Sequence, residues 1–469
     1  MTSTDRRPRT GSGASHGSGL LNVVNPSTGK VFTSVPAASP AKLDQLLVRA
    51  QTAFGGWRHD DSLRRHALRG IADTLSSSVD ELARLLALEL GRPLKLAAME
   101  VHRAAAWFTY FADLDQPLEV IQDDEGALVE LVRRPLGVVG AITPWNYPLL
   151  TAAWKLAPAL RAGNTVVLKS SPFTPLATAE MLRRIAGVLP ADVAAGVTGG
   201  DDLGRRLASH PIPRKITLTG STAAGVGVAS SGASDLKRLT LELGGNDAAI
   251  VLSDADVEAV SGEIFEAAFR NNGQVCTAIK RVYVDESIKD GLVAALADRA
   301  HTVVVGDAMD PASELGPVAN EVQLARVDEL VQDAIESGGS AAAGGGRIDR
   351  EGYFFAPTIV TDVSNGVRLV DEEQFGPALP IIGYTDVDQA VASANDSALG
   401  LGGSVWSPDL DRAVAIADQL DVGTTWVNTH GVVNPHQPFG GAKWSGIGVE
   451  NGLPGLQAFT QSQIRYRRR

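Results

Sequence analysis

The sequence predicts an α/β protein of two successive open-sheet domains, on three observations. Apolar strand-like runs alternate with helical segments from Thr165 onward, the pattern of a parallel sheet with helices on its faces. The alternation ends at Leu239–Leu243 and restarts at Ala248–Leu252, which places a boundary near Gly244-Gly245. A helical segment rich in Leu, Ala, Arg and Glu precedes both.

The elements follow in order. Residues 1–19 are polar and Gly/Ser-rich with Arg6, Arg7 and Arg9; they read as a disordered tail and lack the apolar core of a secretory signal. Asn25-Pro26-Ser27-Thr28-Gly29 reads as a turn between two short strands. Leu46, Leu47, Ala50 and Phe54 share one face of a first helix, two more fill about 62–90, and another runs from about 95 to 114. Strands are expected within 127–142, with a turn near Pro135-Leu136-Gly137. Next come strands at 165–168, 194–198 and 215–218, with helices near 177–189, 203–209 and from Thr222. In the second half, strands are expected at 248–252, 281–284, 303–305, 379–384, 403–405 and 423–427. Helices near 256–271, 289–300, 322–337, 387–396 and 410–420 separate them. The absence of any internal repeat argues against a solenoid.

Composition narrows the function. The chain has 469 residues, 42 basic and 54 acidic, for a formal net charge of -12. That balance argues against a general nucleic-acid or anionic-membrane surface. The longest apolar region, about 136–160, is broken by Pro144, Asn146, Pro148, Lys155 and Pro158, so no membrane span is expected. The one cysteine, Cys276, excludes an intramolecular disulfide and a thiolate zinc cluster. No metal site is expected, and the cytoplasm is the expected location.

Four short segments could carry chemistry. Cys276 lies in Asn271-Asn272-Gly273-Gln274-Val275-Cys276-Thr277, a polar, turn-like context unlike that of a packed structural thiol. Glu242 lies between leucines at the end of an apolar strand, where desolvation raises a carboxyl pKa toward the range of a general base. Asn146 stands in the proline-flanked loop Thr143-Pro144-Trp145-Asn146-Tyr147-Pro148; its neutral amide can hold a developing oxyanion. Thr219-Gly220-Ser221 joins a strand to a helix, so backbone N–H groups there can receive an anion. Each has a plainer reading: a buried thiol, a solvent-facing strand end, an Asx turn and an ordinary loop.

Taken together these segments resemble the NAD(P)-dependent aldehyde dehydrogenase superfamily. The similarity runs from about Leu20 to the end of the chain. It is carried by Trp145-Asn146-Tyr147-Pro148, Asn164-Thr165-Val166-Val167-Leu168-Lys169, Leu241-Glu242-Leu243-Gly244-Gly245, Gly273-Gln274-Val275-Cys276, Glu373-Gln374-Phe375-Gly376-Pro377 and Pro438-Phe439-Gly440-Gly441-Ala442-Lys443-Trp444-Ser445-Gly446. The separation of 34 residues between Glu242 and Cys276 is also the family's. The resemblance implies an aldehyde dehydrogenase-like fold: two Rossmann-like α/β domains plus a small β oligomerisation hairpin. It divides the chain into a dinucleotide-binding domain over 20–117 and 140–244, a catalytic domain over 245–448, and oligomerisation elements over 118–139 and 449–469.

The resemblance implies oxidation of an aldehyde to a carboxylate. Cys276 would add to the carbonyl, Asn146 and the Cys276 N–H would hold the oxyanion, and Glu242 would activate the hydrolytic water. NAD or NADP is the implied cofactor. Lys169 would bond the adenosine ribose, Ser221 would meet the pyrophosphate, and Glu373 would hold the nicotinamide ribose with Phe375 beside it. Pro144 and Trp145 would line the nicotinamide side; Ser171, Gly204, Gly220 and Leu243 complete the implied cofactor site. One departure stands out. The family pattern after Lys169 places a glutamate where this chain has Pro172, within Ser170-Ser171-Pro172. Losing that carboxylate removes the repulsion that would exclude a 2′-phosphate, so tolerance of NADP is expected.

The implied substrate tunnel is walled by Tyr147, Trp154, Val275, Thr277 and Phe439, which favours an apolar or aromatic aldehyde. No arginine is evident in it, which disfavours a semialdehyde with a distal carboxylate. His430 and His436 are expected at its rim. The family's hairpin implies a homodimer or homotetramer, with strands near 128–132 and 137–142 forming the hairpin and 459–464 the strand that pairs with it; Arg465 to Arg469 is expected as a solvated tail. A coenzyme-A-acylating relative and a catalytically silent homologue are the alternatives. The first typically lacks the Glu242 equivalent and the second usually loses the nucleophile or base.

Overall fold

Continuous apolar runs make the central strands. In the computed structural model, which describes residues 19–469, Thr165–Ser170 and Asp247–Val251 are buried at every position. Strands covered by helices on both faces are buried in this way. The expected tail over 1–18 lies outside the described residues.

Two open sheets dominate. The first has the order Gly446–Ile447, Arg238–Glu242, Lys215–Thr219, Val138–Ile142, Thr165–Ser170, Ala194–Thr198. Its neighbours run parallel, except that Gly446–Ile447 pairs antiparallel with Arg238–Glu242. Val138–Ile142 comes first in the chain; of the strands parallel to it, two then extend one way and two the other. The order thus reverses between Val138–Ile142 and Lys215–Thr219, and open α/β sheets bind ligands outside the carboxyl ends at such a point. The second sheet has the order Ser340–Ala343, Thr358–Thr361, Ala378–Tyr384, Ile279–Asp285, Asp247–Val251, Gly402–Trp406, Thr424–Val427. Only Ser340–Ala343 runs antiparallel.

The helix Pro148–Arg161 is buried along its whole length. It packs with Asp61–Ser76 and Leu94–Asp113 around Trp107, Phe108, Phe111 and Trp154. Proline at its first position is favoured there, because that N–H has no helical partner. Among the described residues no helix is long and apolar enough to cross a membrane.

Several expectations are corrected. Val138–Ile142 belongs to the first large sheet, and the hairpin is Glu119–Asp123 with Ala127–Pro135. Thr460–Arg468 pairs antiparallel with Ala127–Pro135 of its own chain, giving a three-stranded sheet. The terminal arginines are therefore no free tail. Arg465 and Arg467 both bond Glu130 at 2.9 Å, and Arg469 pairs with Asp123. The segment 303–305 makes only an isolated bridge, Val305 to Leu315. The helix expected over 256–271 is Val257–Phe269, because Asn271 and Asn272 turn left-handed.

Candidate active site

Every residue named above as catalytic, cofactor-binding or tunnel-lining opens onto one continuous cavity of about 2350 Å³. The first sheet's carboxyl ends explain this convergence. The segment 143–147 follows Val138–Ile142, Ser171 follows Thr165–Ser170, Gly220 and Ser221 follow Lys215–Thr219, and Glu242 ends Arg238–Glu242.

Cys276 is delivered by a strained turn. Asn271, Asn272 and Gly273 hold φ of 53°, 56° and 67°, a left-handed conformation in which Asn and Gly are the least costly residues. A side chain at Gly273 would collide with the Gly376 carbonyl. Asn146 Nδ2 donates to the Gln274 carbonyl oxygen at 2.9 Å, so the 143–147 loop is fastened to the segment that carries Cys276. Behind both, the buried Arg92 donates to Asn271 Oδ1 at 3.0 Å, bonds the Asn146 carbonyl oxygen and pairs with Glu100. Its guanidinium lies 3.9 Å from the Tyr147 ring centroid. A Cβ on Gly245 would lie 2.6 Å from the Cys276 carbonyl oxygen, so only glycine lets the backbone pass there.

Cys276 and Glu242 both depart from the usual behaviour of their types. Cys276 keeps partial exposure, yet desolvation by the walls pushes the thiol up to about 12; Lys280 opposes this, and Glu242, Asp247 and Glu373 add to it. Burial likewise holds the Glu242 carboxyl well above the usual range, with Glu450 adding and Lys155 opposing. Neither Glu242 oxygen has a hydrogen-bond partner among the described residues. At neutral pH, then, the thiol holds its proton and a nearby carboxyl group is free to exchange one.

At the cofactor end, burial lowers Lys169 to about 8, with Asp201 opposing. Ser221 Oγ accepts from Ala224 N at 3.3 Å as the N-cap of Thr222–Ala233. Glu373 Oε1 accepts from Gly245 N at 3.1 Å and lies 3.4 Å from Lys280 Nζ, and Phe375 meets Trp145 edge-on at 5.3 Å. At the tunnel end, Trp154 stacks on Trp107 and meets Phe439 edge-on. Gly204, with no side chain, leaves the Lys169 stem alongside it, where a Cβ would lie 3.7 Å from Lys169 Cδ. Aromatic walls at 145 and 375, a cation and a helix N-terminus in one cavity fit a dinucleotide.

Sequence reasoning missed several residues here. Lys155 was visible only as a charge interrupting an apolar run, and its partner Glu450 is 295 positions away. Lys280 bonds the Val275 and Cys276 carbonyl oxygens at 2.8 and 3.1 Å. Arg103 and Arg270 both line the cavity, which corrects the expectation of a tunnel without arginine. His430 is no rim residue: it is buried, 2.9 Å from Ser404 Oγ and 3.5 Å from Asp247. His436 is exposed and does not line the cavity.

The described residues 19–464 fall within a match, over 14–464, to the model of the aldehyde dehydrogenase family. Among curated relatives, the phenylacetaldehyde dehydrogenase of Pseudomonas fluorescens is 39% identical over 94% of this chain and 91% of its own. A Sinorhizobium fredii protein named as a probable NADP+ succinate-semialdehyde dehydrogenase is 37% identical over the same shares. The betaine aldehyde dehydrogenase of Staphylococcus aureus, solved with NAD+, superposes with a TM-score of 0.92 at 33% identity, covering 95% of this chain and 91% of that one.

Proposed function

The chain belongs to the aldehyde dehydrogenase family and is an NAD(P)-dependent oxidoreductase, and we propose that it converts an aldehyde to a carboxylate through a thioester on Cys276. The observation that carries this reading is the convergence of Asn146, Glu242 and Cys276 on one cavity, with the desolvated Glu242 carboxyl group unpartnered.

The steps assigned to this chain's residues are these. Glu242 takes the Cys276 proton, and the sulfur adds to the carbonyl carbon to give a tetrahedral thiohemiacetal. The Asn146 amide and the Cys276 N–H hold its oxyanion. Bound NAD(P)+ supplies the hydride acceptor. Lys169 and Ser171 would hold its adenosine ribose, Gly220 and Ser221 its pyrophosphate, and Glu373 its nicotinamide ribose. Trp145, Phe375, Pro144 and Leu243 would enclose the ring. Loss of hydride from the tetrahedral carbon leaves a thioester, and Glu242 gives its first proton up to solvent. Glu242 then takes a proton from water as the water oxygen attacks the thioester carbon, the C–S bond breaks, Glu242 returns that proton to the Cys276 sulfur, and the carboxylic acid leaves. Lys155 and Glu450, buried against one another behind Glu242, bias its proton affinity.

Tyr147, Trp154 and Phe439 favour an aldehyde with an apolar or aromatic body. The 20–117 and 140–244 segments serve as the dinucleotide-binding domain and 245–448 as the catalytic domain, with the Gly446–Ile447 strand crossing to the first sheet beside Glu242. Self-association through the three-stranded sheet is part of the proposal, since Val120, Ile121, Ile464 and Tyr466 are exposed on it. The test is initial-rate reduction of NAD+ and NADP+ over a panel of aldehydes. Turnover abolished by Cys276→Ala supports the reading; undiminished turnover in that variant sinks it.

A further inference from the structure

We propose that Lys280 is a positioning residue for the nucleophile: held on the carbonyl groups of Val275 and Cys276, its buried ammonium group supplies the positive charge against which the Cys276 thiolate forms. The inference rests on Cys276 as the nucleophile and adds a group that lies outside the cavity wall.

Lys280 stands four residues after Cys276, on the strand Ile279–Asp285. Cys276 and Glu373 line the cavity, and Lys280 lies behind them. Its side chain is 1% exposed. Nζ donates to the Val275 carbonyl oxygen at 2.8 Å and to the Cys276 carbonyl oxygen at 3.1 Å, and Glu373 Oε1 lies 3.4 Å away. The backbone at Lys280 is fixed in turn, because Gln374 Nε2 donates to its carbonyl oxygen at 3.1 Å. On the far side of the Cys276 peptide, Gly245 leaves no room for a side chain against the same carbonyl oxygen. The cation is thus fastened to the peptide group of the residue that reacts.

The pairing of this cation differs from that of other buried lysines. Lys155 holds Glu450 at 2.6 Å, and Lys237 holds Asp235 at 2.6 Å. Lys280 keeps its short bonds for neutral carbonyl groups and meets its carboxylate only at 3.4 Å. An ammonium group taken out of water is costly unless a negative charge meets it, and a loosely paired one leaves its field on whatever lies beside it. Glu373 is drawn elsewhere as well: Oε1 accepts from Gly245 N at 3.1 Å, and a side chain at Gly244 would collide with Oε2. Burial raises the Glu373 carboxyl, with Lys280 and then the Gly245 N–H opposing. Around Cys276, burial works most strongly against the thiolate; Lys280 favours it, and Glu242, Asp247 and Glu373 oppose it. A thiolate surrounded by three carboxyl groups needs a cation, and Lys280 is placed to be that cation.

Cys276 is the only cysteine in the chain, so a thiol reagent reads it alone. The experiment measures alkylation of the intact enzyme by iodoacetamide at pH 8, followed by mass. Losing an adjacent opposite charge moves a pKa by about 1–3 pH units. A more basic thiolate is also more nucleophilic, which returns about half of the loss on a logarithmic scale. Lys280→Gln keeps a donor for the carbonyl groups and removes the charge; it is expected to react about 3- to 30-fold more slowly. Lys280→Arg restores the charge without the shape and recovers part of the rate. For one good aldehyde, kcat/KM falls and recovers in parallel. Thermal melting establishes that each variant is folded. Should Lys280→Gln not fold because Glu373 is left buried and unpaired, the same comparison is made between Glu373→Gln and the double variant Lys280→Gln/Glu373→Gln, in which no carboxylate is stranded. A folded Lys280→Gln enzyme that alkylates at the wild-type rate overturns the proposal. So does a slow Lys280→Arg enzyme that recovers nothing, since the loss would then follow shape and not charge. Alkylation needs neither aldehyde nor cofactor, so these outcomes leave aldehyde oxidation standing; no reduction of NAD+ or NADP+ with any aldehyde overturns that reading itself.

Discussion

Lys155 Nζ lies 2.6 Å from Glu450 Oε1, and both side chains are wholly removed from solvent. Thr217 Oγ1 completes the triangle, 3.2 Å from the lysine and 3.1 Å from the carboxylate. Glu242 feels both charges: Glu450 raises its pKa and Lys155 lowers it. Since Glu242 acts as a base only when ionised, activity rises as pH passes its pKa. Glu450→Gln removes the repulsion and moves that limb of the pH–kcat profile to lower pH. Lys155→Met removes the attraction and moves it to higher pH. A kcat profile for each variant decides the matter, and shifts of the same sign in both would refute the assignment. Lys155→Met also strands a buried carboxylate, so unfolding free energy falls by about 3–5 kcal/mol, read by denaturant titration.

Glu242→Gln separates the two halves of the reaction. A glutamine cannot activate the hydrolytic water, and general-base losses run to about 10²–10⁴ in rate. The Cys276 thiol, held up at about 12, also loses the carboxylate assigned to take its proton. At neutral pH both half-reactions slow. Raised toward pH 10, the variant forms thiolate more readily, and stopped flow then shows a burst of reduced cofactor near one per site before a slow steady state. A linear trace with no burst at any pH would mean that acylation, not hydrolysis, is what Glu242 limits.

Legibility tracked burial and locality. Strands such as Thr165–Ser170, buried throughout, announce themselves as apolar runs. Cys276, Glu242 and Asn146, the trio proposed as catalytic, could be singled out because each stands in a short local motif. Glu119–Asp123 escaped notice because all five residues are exposed and give no alternation. Ser340–Ala343 escaped because Ser-Ala-Ala-Ala has little strand preference. The sequence offered the strand 138–142 to the hairpin because its residues fit a buried hairpin strand equally well; only the pairing with Thr165–Ser170 and Lys215–Thr219 decides it. Arg103 and Arg270 belong to distant segments, so nothing local marks their convergence on one cavity. The Glu450 carboxylate likewise acquires meaning only from Lys155, far away in the chain.

Asn146→Ala tests the oxyanion assignment. The amide donates to the Gln274 carbonyl oxygen, which fixes its plane and leaves a second N–H for substrate. Removing one such donor costs about 10²–10³ in kcat, with a small change in KM, because the oxyanion exists only after Cys276 has added. Steady-state kinetics on one good aldehyde measures the split. An equal loss carried wholly by KM would make Asn146 a ground-state binding residue.

Lys169 and Pro172 both line the cavity, and the proposed cofactor site makes the choice between NAD+ and NADP+ turn on them. Burial lowers Lys169 to about 8, so in the free enzyme it is mostly protonated at pH 7 and mostly neutral at pH 9. A 2′-phosphate needs that positive charge more than a ribose hydroxyl does. The KM for NADP+ therefore rises between pH 7 and 9 more steeply than the KM for NAD+. Pro172→Glu places a carboxylate where the phosphate would sit and lowers kcat/KM for NADP+ relative to NAD+ by about tenfold or more. The proline itself makes no charge contact, so the wild-type enzyme is expected to use both cofactors. Paired rate measurements at pH 7 and 9 check each step. Strict use of NAD+ by the wild-type enzyme, with negligible NADP+ turnover at pH 7, would show that exclusion of the phosphate comes from elsewhere, with the acidic pair Asp201 and Asp202 at the start of the helix Asp201–Ser209 as the nearest candidates.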